Sequence, residues 1–330
     1  MNTNENGIDV NMAVTKLVTF LKKSTAQLIL LALIVFFGIR CGSLFFSVSN
    51  LISIVRQVTT MGIAALGVSF LMISGNLDFS TGQTYAFVGT LAAFLYSTGV
   101  PIYASMFISL LGGVAIFCLT CWISTTFQIG RLVISMAVGT AVSGLSCIIA
   151  NNKTIYGLPS SIKWLGQGYL FNVVPISTVI FIVLALIVSF IFNKTYLGRY
   201  MFAVGGNQDV ARLSGINVNL IKYLTSIIGG ALVGLAGLVC MSRTFSGSPF
   251  AGGSLSQDVI CAAVLGGVSV QGGTGKTSGI VTGVFITGTL AVGLNMLGMN
   301  TNSQDIFKGT LLMLAVVLDG ASKRSTAIRK

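Results

Sequence analysis

Histidine is absent from all 330 residues. That excludes histidine-based metal sites and the Ser-His-Asp and Cys-His forms of nucleophilic catalysis. Charge is scarce as well. Asp, Glu, Lys and Arg make up 8% of the chain, against about a quarter in a soluble domain. So few charges cannot cover a water-facing surface, so lipid must be the main solvent. Acids are rarest: Glu5, Asp9, Asp78, Asp209, Asp258, Asp305 and Asp319 are the whole set. Few of them lie deep in an apolar run, which argues against an ion- or proton-coupled carrier, since coupling needs intramembrane carboxylates or His. A membrane enzyme is disfavoured too, for want of His or a paired-carboxylate motif.

What the chain has instead is apolar bulk and glycine. Hydrophobic residues make up 54%, and there are 40 glycines. Glycine is frequent in membrane helices, where it lets backbones approach closely. The net charge of +12 sits in the loops between apolar runs. No polar face interleaves aromatic and basic residues as a nucleic-acid platform would, so no nucleic-acid partner is expected. The six cysteines, Cys41, Cys118, Cys121, Cys147, Cys240 and Cys261, fall within or near apolar runs. They read as small apolar residues; Cys118-x-x-Cys121 has redox spacing but no strand before it. No metal site is expected.

A helical span needs about 20 apolar residues. The runs are 26–46, 51–74, 83–99, 102–127, 132–151, 172–193, 221–242, 255–270, 278–298 and 305–320. The expected fold is an all-α polytopic bundle of about ten spans. Residues 1–25 form a polar tail, 26–321 the membrane domain and 322–330 a second tail. The first apolar run has no clear cleavage site, so it is expected to stay as an uncleaved span. Two runs are short or interrupted by glycine, and broken helices are expected near 75–83 and 270–278. Such breaks mark permeation sites, because irregular backbone is tolerated at membrane depth where it lines a cavity.

Lys and Arg set the orientation. With the N-terminus inside and ten spans, 13 basic residues fall inside and 6 outside. Both termini are therefore expected to be cytoplasmic, with loop 194–220 inside and loop 152–171 outside.

Loop 194–220 contains a short helix with marked ends. Asn207 suits the N-cap. Asp209 in the first turn and Arg212 near the last match the helix dipole, and Gly215 suits the left-handed position past the end. At about seven residues the helix cannot stand alone in water. Val210 and Leu213 share one side of it. The helix must dock either on its own membrane domain or on a partner protein.

Three polar positions in apolar runs have two readings each. Asp78 either caps the helix that follows Ser80 or contacts a substrate or gate; Asp258 divides the same way. Asn295 either lines a pathway or bonds to a neighbouring helix. Gly272-Gly273-Thr274-Gly275-Lys276-Thr277 fails as a phosphate loop, because the required earlier glycine is Val270 and no βαβ context surrounds it. It reads as a tight turn.

Gly198-Arg199-Tyr200 through Gly205-Gly206-Asn207, then Ala211-Arg212-Leu213-Ser214-Gly215-Ile216, resembles the coupling loop of bacterial ATP-binding-cassette (ABC) importer permeases of the ribose type. Asn50-Leu51 to Gln57 with Gly62-Ile63-Ala64-Ala65-Leu66-Gly67 resembles that family's second span. Ser74-Gly75-Asn76-Leu77-Asp78-Phe79-Ser80-Thr81-Gly82 resembles its Gly-Gly-Ile-Asp-Leu-Ser-Val-Gly motif, with Asn76, Phe79 and Thr81 as departures. Asp258-Val259-Ile260, Val264-Leu265-Gly266-Gly267-Val268-Ser269 and Gly272-Gly273 resemble a late motif. The similarity covers roughly 45–320.

The resemblance implies a pore-forming subunit that works by alternating access in the bacterial cytoplasmic membrane. It would pair with a second copy or a paralogue, a separate ATPase holding ATP and Mg, and an extracytoplasmic binding protein. Gly206, Asn207, Gln208, Val210, Ala211, Arg212, Leu213 and Gly215 would couple it to the ATPase. Asn76, Asp78, Ser80, Asp258 and Asn295 would line the pathway or gate. No catalytic residue and no cofactor belongs to this chain. A ribose-like monosaccharide is the expected cargo, with autoinducer-2 and nucleosides as alternatives.

Overall fold

A computed structural model describes residues 25–171, 174–300 and 302–311, with 313 and 317. Among the described residues its regular structure is helical apart from one two-residue antiparallel ladder, Tyr169–Leu170 with Val174–Pro175, and an isolated bridge between Ile155 and Gly247. The helices are α1 (Thr25–Cys41), α2 (Val48–Ile73), α3 (Thr81–Ser97), α4 (Ile102–Phe127), α5 (Arg131–Ile149), α6 (Lys163–Gly166) and α7 (Ile176–Lys194). They continue with α8 (Tyr196–Gly206), α9 (Gln208–Leu213), α10 (Val218–Thr244), α11 (Leu255–Leu265) and α12 (Thr277–Met296). Residues 302–311 are also helical.

Among the described residues, 7 helices are long and apolar enough to cross a membrane: α1, extended to Leu44, with α2, α4, α5, α7, α10 and α12. They take up seven of the ten expected runs. Runs 83–99 and 255–270 become the shorter helices α3 and α11, of 17 and 11 residues. The tenth run, 305–320, extends beyond the described residues, as do both expected tails except at the first tail's edge. At 1.5 Å per residue α11 is about 16 Å long, half of a hydrocarbon core of about 30 Å.

The two central helices are α2 and α10, the most buried of the seven. They pack on each other, and α10 also packs on α3 and α4. The outer helices α1, α4, α5 and α7 leave most of their apolar side chains at least partly exposed, as surfaces that meet lipid rather than water must.

Both short helices begin inside the bundle. After α2 ends, residues 74–80 run without helix past the N-terminal half of α5 until Ser80 packs on Gly139, the middle of α5. There α3 starts. The connection from α10, residues 245–254, likewise turns inward: Gly247 packs against α3 at Thr90 and Ala93, and Gly252 meets Gly82. There α11 starts. The break near 75–83 is thus as expected. The chain is also non-helical at 266–276, overlapping the second expected break, where it forms a turn at the end of the bundle; a further non-helical connection, 245–254, turns into the bundle before α11.

Gly82 and Gly252 are needed for this contact. A Cβ on either would collide with the other's carbonyl oxygen. Ser256 ties the two breaks: its Oγ accepts from Gly82 N–H at 2.8 Å and donates to the Phe79 carbonyl at 2.9 Å. Main-chain groups freed by the breaks are thereby satisfied without water.

The two ends of the bundle differ. At one, the turn after α11 closes on α2, with Gly273 N–H donating to the Ile73 carbonyl at 2.9 Å and Gly205 of α8 wedged between them. At the other, loop 152–171 folds over: Ile155 bridges Gly247, Gly166 N–H donates to Ser242 Oγ at 2.8 Å, and Arg56 donates to Tyr169 at 2.6 Å.

Gly82→Ala should destabilise the purified protein by about 1–3 kcal/mol through overpacking, read as a lowered unfolding temperature in detergent. Gly253→Ala, whose Cβ would meet only the Phe250 carbonyl at 3.8 Å, should stay within about 0.5 kcal/mol.

Candidate functional site

Asp78 is fully buried. One carboxylate oxygen accepts Ser80 N–H at 2.9 Å and Ser80 Oγ at 2.5 Å. The other accepts Arg131 Nε at 3.0 Å and Nη2 at 2.9 Å. Arg131 heads α5 and is itself buried; its Nη1 donates to Ser226 of α10 at 2.6 Å. Phe79 N–H donates to Ser135 Oγ, one turn along α5, at 3.0 Å. The non-helical segment 74–80 is thereby held on α5 from both backbone and side chain.

Asn76 is buried near the start of the same segment, its Nδ2 turned back to the Ser74 carbonyl at 3.2 Å. Ser80 ends the segment as the N-cap residue of α3, yet its hydroxyl bonds Asp78 rather than the helix. Asp258 lies in the first turn of α11 and belongs to a different surface. It accepts from Lys308 at 2.9 Å and from Ser254 Oγ at 3.2 Å, and it lines an open cavity of about 280 Å³ between α2, α3, α10 and α11. Gln57, Thr60, Tyr85, Arg243 and Ser254 supply the rest of that cavity's polar wall. Asn295 joins neither group; it is exposed on the last turn of α12.

In loop 194–220 the expected short helix is present. Asn207 Oδ1 accepts from Asp209 N–H at 2.9 Å and Val210 N–H at 3.1 Å. The helix has 6 residues, and Gly215 is left-handed at φ 82°. Its faces divide. Ala211 is buried; Gln208 and Arg212, four apart, line a cavity against the bundle; Val210 and Leu213 point away, 58% and 89% exposed. Gly206 precedes the cap at the end of α8 and is exposed.

Helix α8 itself was not anticipated. Its signal was legible: Thr195 caps it through Gly198 N–H at 3.2 Å, and Leu197, Met201 and Val204 fall on one inward face. Arg131, Ser226, Ser256 and Lys308 were also missed as site residues. Arg131 opens an apolar run after a glycine, the position of an ordinary topology-setting charge, and nothing local marks it as the partner of Asp78. Among the described residues no group of three or more Cys, Asp or Glu could hold a metal ion.

Removing Arg131 should cost about 3–5 kcal/mol, because Asp78 would be left buried and uncompensated. Arg131→Met should therefore lower the unfolding temperature markedly, and Arg131→Met with Asp78→Asn should recover much of the loss. Equal destabilisation by the single and double variants would show that the pair is not coupled.

The family model described as branched-chain amino acid transport system / permease component matches residues 50–316. The ribose import permease protein RbsC of Bacillus subtilis is 32% identical over 272 residues, covering 82% of this chain and 84% of that protein. A probable ABC transporter permease protein of Escherichia coli, YphD, is 33% identical over 274 residues, 83% and 82% of the two chains. The xylose transport system permease protein XylH of Haemophilus influenzae is 28% identical over 364 residues, 90% and 96% of the two. No solved structure matches.

Proposed function

The chain belongs to the branched-chain amino acid transport system / permease component family and is a multi-pass membrane permease, not itself catalytic, and we propose that it is the pore-forming subunit of an ABC importer for a monosaccharide. The observation that carries the proposal is α9: a capped helix too short to stand alone, with two large apolar side chains turned away from the bundle. Its partner is a separate ATPase, which holds ATP and Mg. An extracytoplasmic binding protein delivers cargo at the opposite end, and a second copy or paralogue completes the pore.

The ribose and xylose relatives support a sugar cargo. So does the wall of the cavity at Asp258. Hydroxyls and amides from Thr60, Tyr85, Ser254 and Gln57 can exchange hydrogen bonds with a neutral polyol, and about 280 Å³ gives room for a single sugar ring. Asp258 and Lys308 form the gate beside it. Asn76, Asp78 and Ser80 serve the pathway by holding the break in place, and Asn295 takes part at the exposed end of α12. The α9 end is cytoplasmic in the bacterial inner membrane, with both termini on that side.

Transport needs no covalent chemistry from this chain. ATP-driven closure of the partner moves α9, and the bundle reopens to the other side. Replacing Val210 and Leu213 by Asp should abolish ATP-dependent sugar uptake and co-purification with the ATPase, while the permease still inserts. Unchanged uptake would sink the coupling role. A cysteine placed at Ser214 should react with an impermeant thiol reagent only in inverted vesicles; reaction in right-side-out cells would reverse the orientation.

A further inference from the structure

A cavity of about 580 Å³ lies between α9 and the bundle. Arg212 and Lys222 line it with Gln208, Asn219 and Gln128, and no acid does. Arg131 also reaches it, but its guanidinium is committed to Asp78 and Ser226. The other two cations are free: among the described residues neither the Arg212 nor the Lys222 side chain has a hydrogen bond or ion pair. Lys222 is half-buried in the second turn of α10. A topology-setting lysine would extend into water; this one lines an acid-free cavity whose other polar groups include amide donors.

The cavity opens beside apolar surface. Phe127, Ile129, Leu132 and Val133, around the turn from α4 to α5, are all exposed, and Ile129 and Leu132 form part of the cavity rim. Two unpaired cations next to a lipid-facing apolar strip match a molecule with an anionic head and acyl tails. A basic pocket between membrane helices near one surface favours anionic headgroups, and a zwitterionic lipid would bring an ammonium group against Arg212 and Lys222.

We propose that this cavity binds the phosphodiester headgroup of an anionic phospholipid, with Arg212 and Lys222 on the phosphate, Gln208, Asn219 and Gln128 around it, and the acyl chains along the α4–α5 turn. The lipid would then sit between α9 and the bundle, on the side of α9 opposite Val210 and Leu213.

Native mass spectrometry of the full-length chain, released from detergent after addition of phosphatidylglycerol or phosphatidylcholine, tests this. Phosphatidylglycerol should be retained and phosphatidylcholine lost. Arg212→Gln with Lys222→Gln should weaken retention about thirtyfold, from about fivefold per lost charge. Arg212→Lys with Lys222→Arg should keep it, as should Lys276→Gln, since Lys276 is exposed on a turn outside the cavity. Equal retention of the two lipids by the unaltered chain overturns the proposal without any variant having to fold. So does full retention of phosphatidylglycerol by the double Gln variant. Displacement of the lipid by millimolar inorganic phosphate would assign the site to a soluble phosphate and overturn the headgroup.

Discussion

Asp78 and Arg131 hold one another where neither charge could remain alone. A carboxylate and a guanidinium taken out of water lose several kcal/mol of solvation each, and the loss is offset here because nearly every polar atom has a partner. Asp78 accepts four hydrogen bonds, and Arg131 reaches Ser226 on α10 as well. Replaced together by apolar groups, such a pair need not be missed in energy. What it supplies is position. It fastens the non-helical segment 74–80 to the head of α5 and links both to α10.

The rest of the interior follows from that placement. With the segment held along α5, α3 starts beside Gly139 rather than at the bundle's edge. Gly82 then meets Gly252 backbone to backbone, and Ser256 completes the junction. Two helices shorter than the full spans thus begin next to each other inside the bundle. A continuous helix satisfies its own backbone and leaves nothing to line a path; a broken one exposes main-chain groups that must be met by neighbours or by a cavity. The polar cavity at Asp258 opens beside this junction, from residues of α11 and the break before it.

The same segment connects to the other end of the molecule. It leaves α2 at Ile73, whose carbonyl accepts from Gly273 and packs on Gly205 of α8. One residue cap separates α8 from α9. The helix that faces a partner and the break that shapes the interior therefore share a close-packed cluster of backbone, where even a methyl group would collide. Packed contacts of this kind transmit displacement because interiors have low compressibility.

Much of this was legible in the residues. Apolar runs of about 20 defined seven membrane helices, since a span's length is set by bilayer thickness and a helix satisfies its backbone locally. The α9 helix was legible for the same reason of locality: Asn207, Asp209, Arg212 and Gly215 act within one or two turns. The break at 75–82 also showed, because glycine and acid together interrupt an apolar run. Other features were decided only by tertiary structure. The partner of Asp78 is 53 residues away, Ser256 reaches across 174 residues to Gly82, and the connection 245–254 turns inward to meet α3. Each depends on which helices end up side by side, and a local pattern holds no record of that; capping and span length are written along the chain, whereas the pairing of charges and the meeting of two glycines arise between segments only once they have packed.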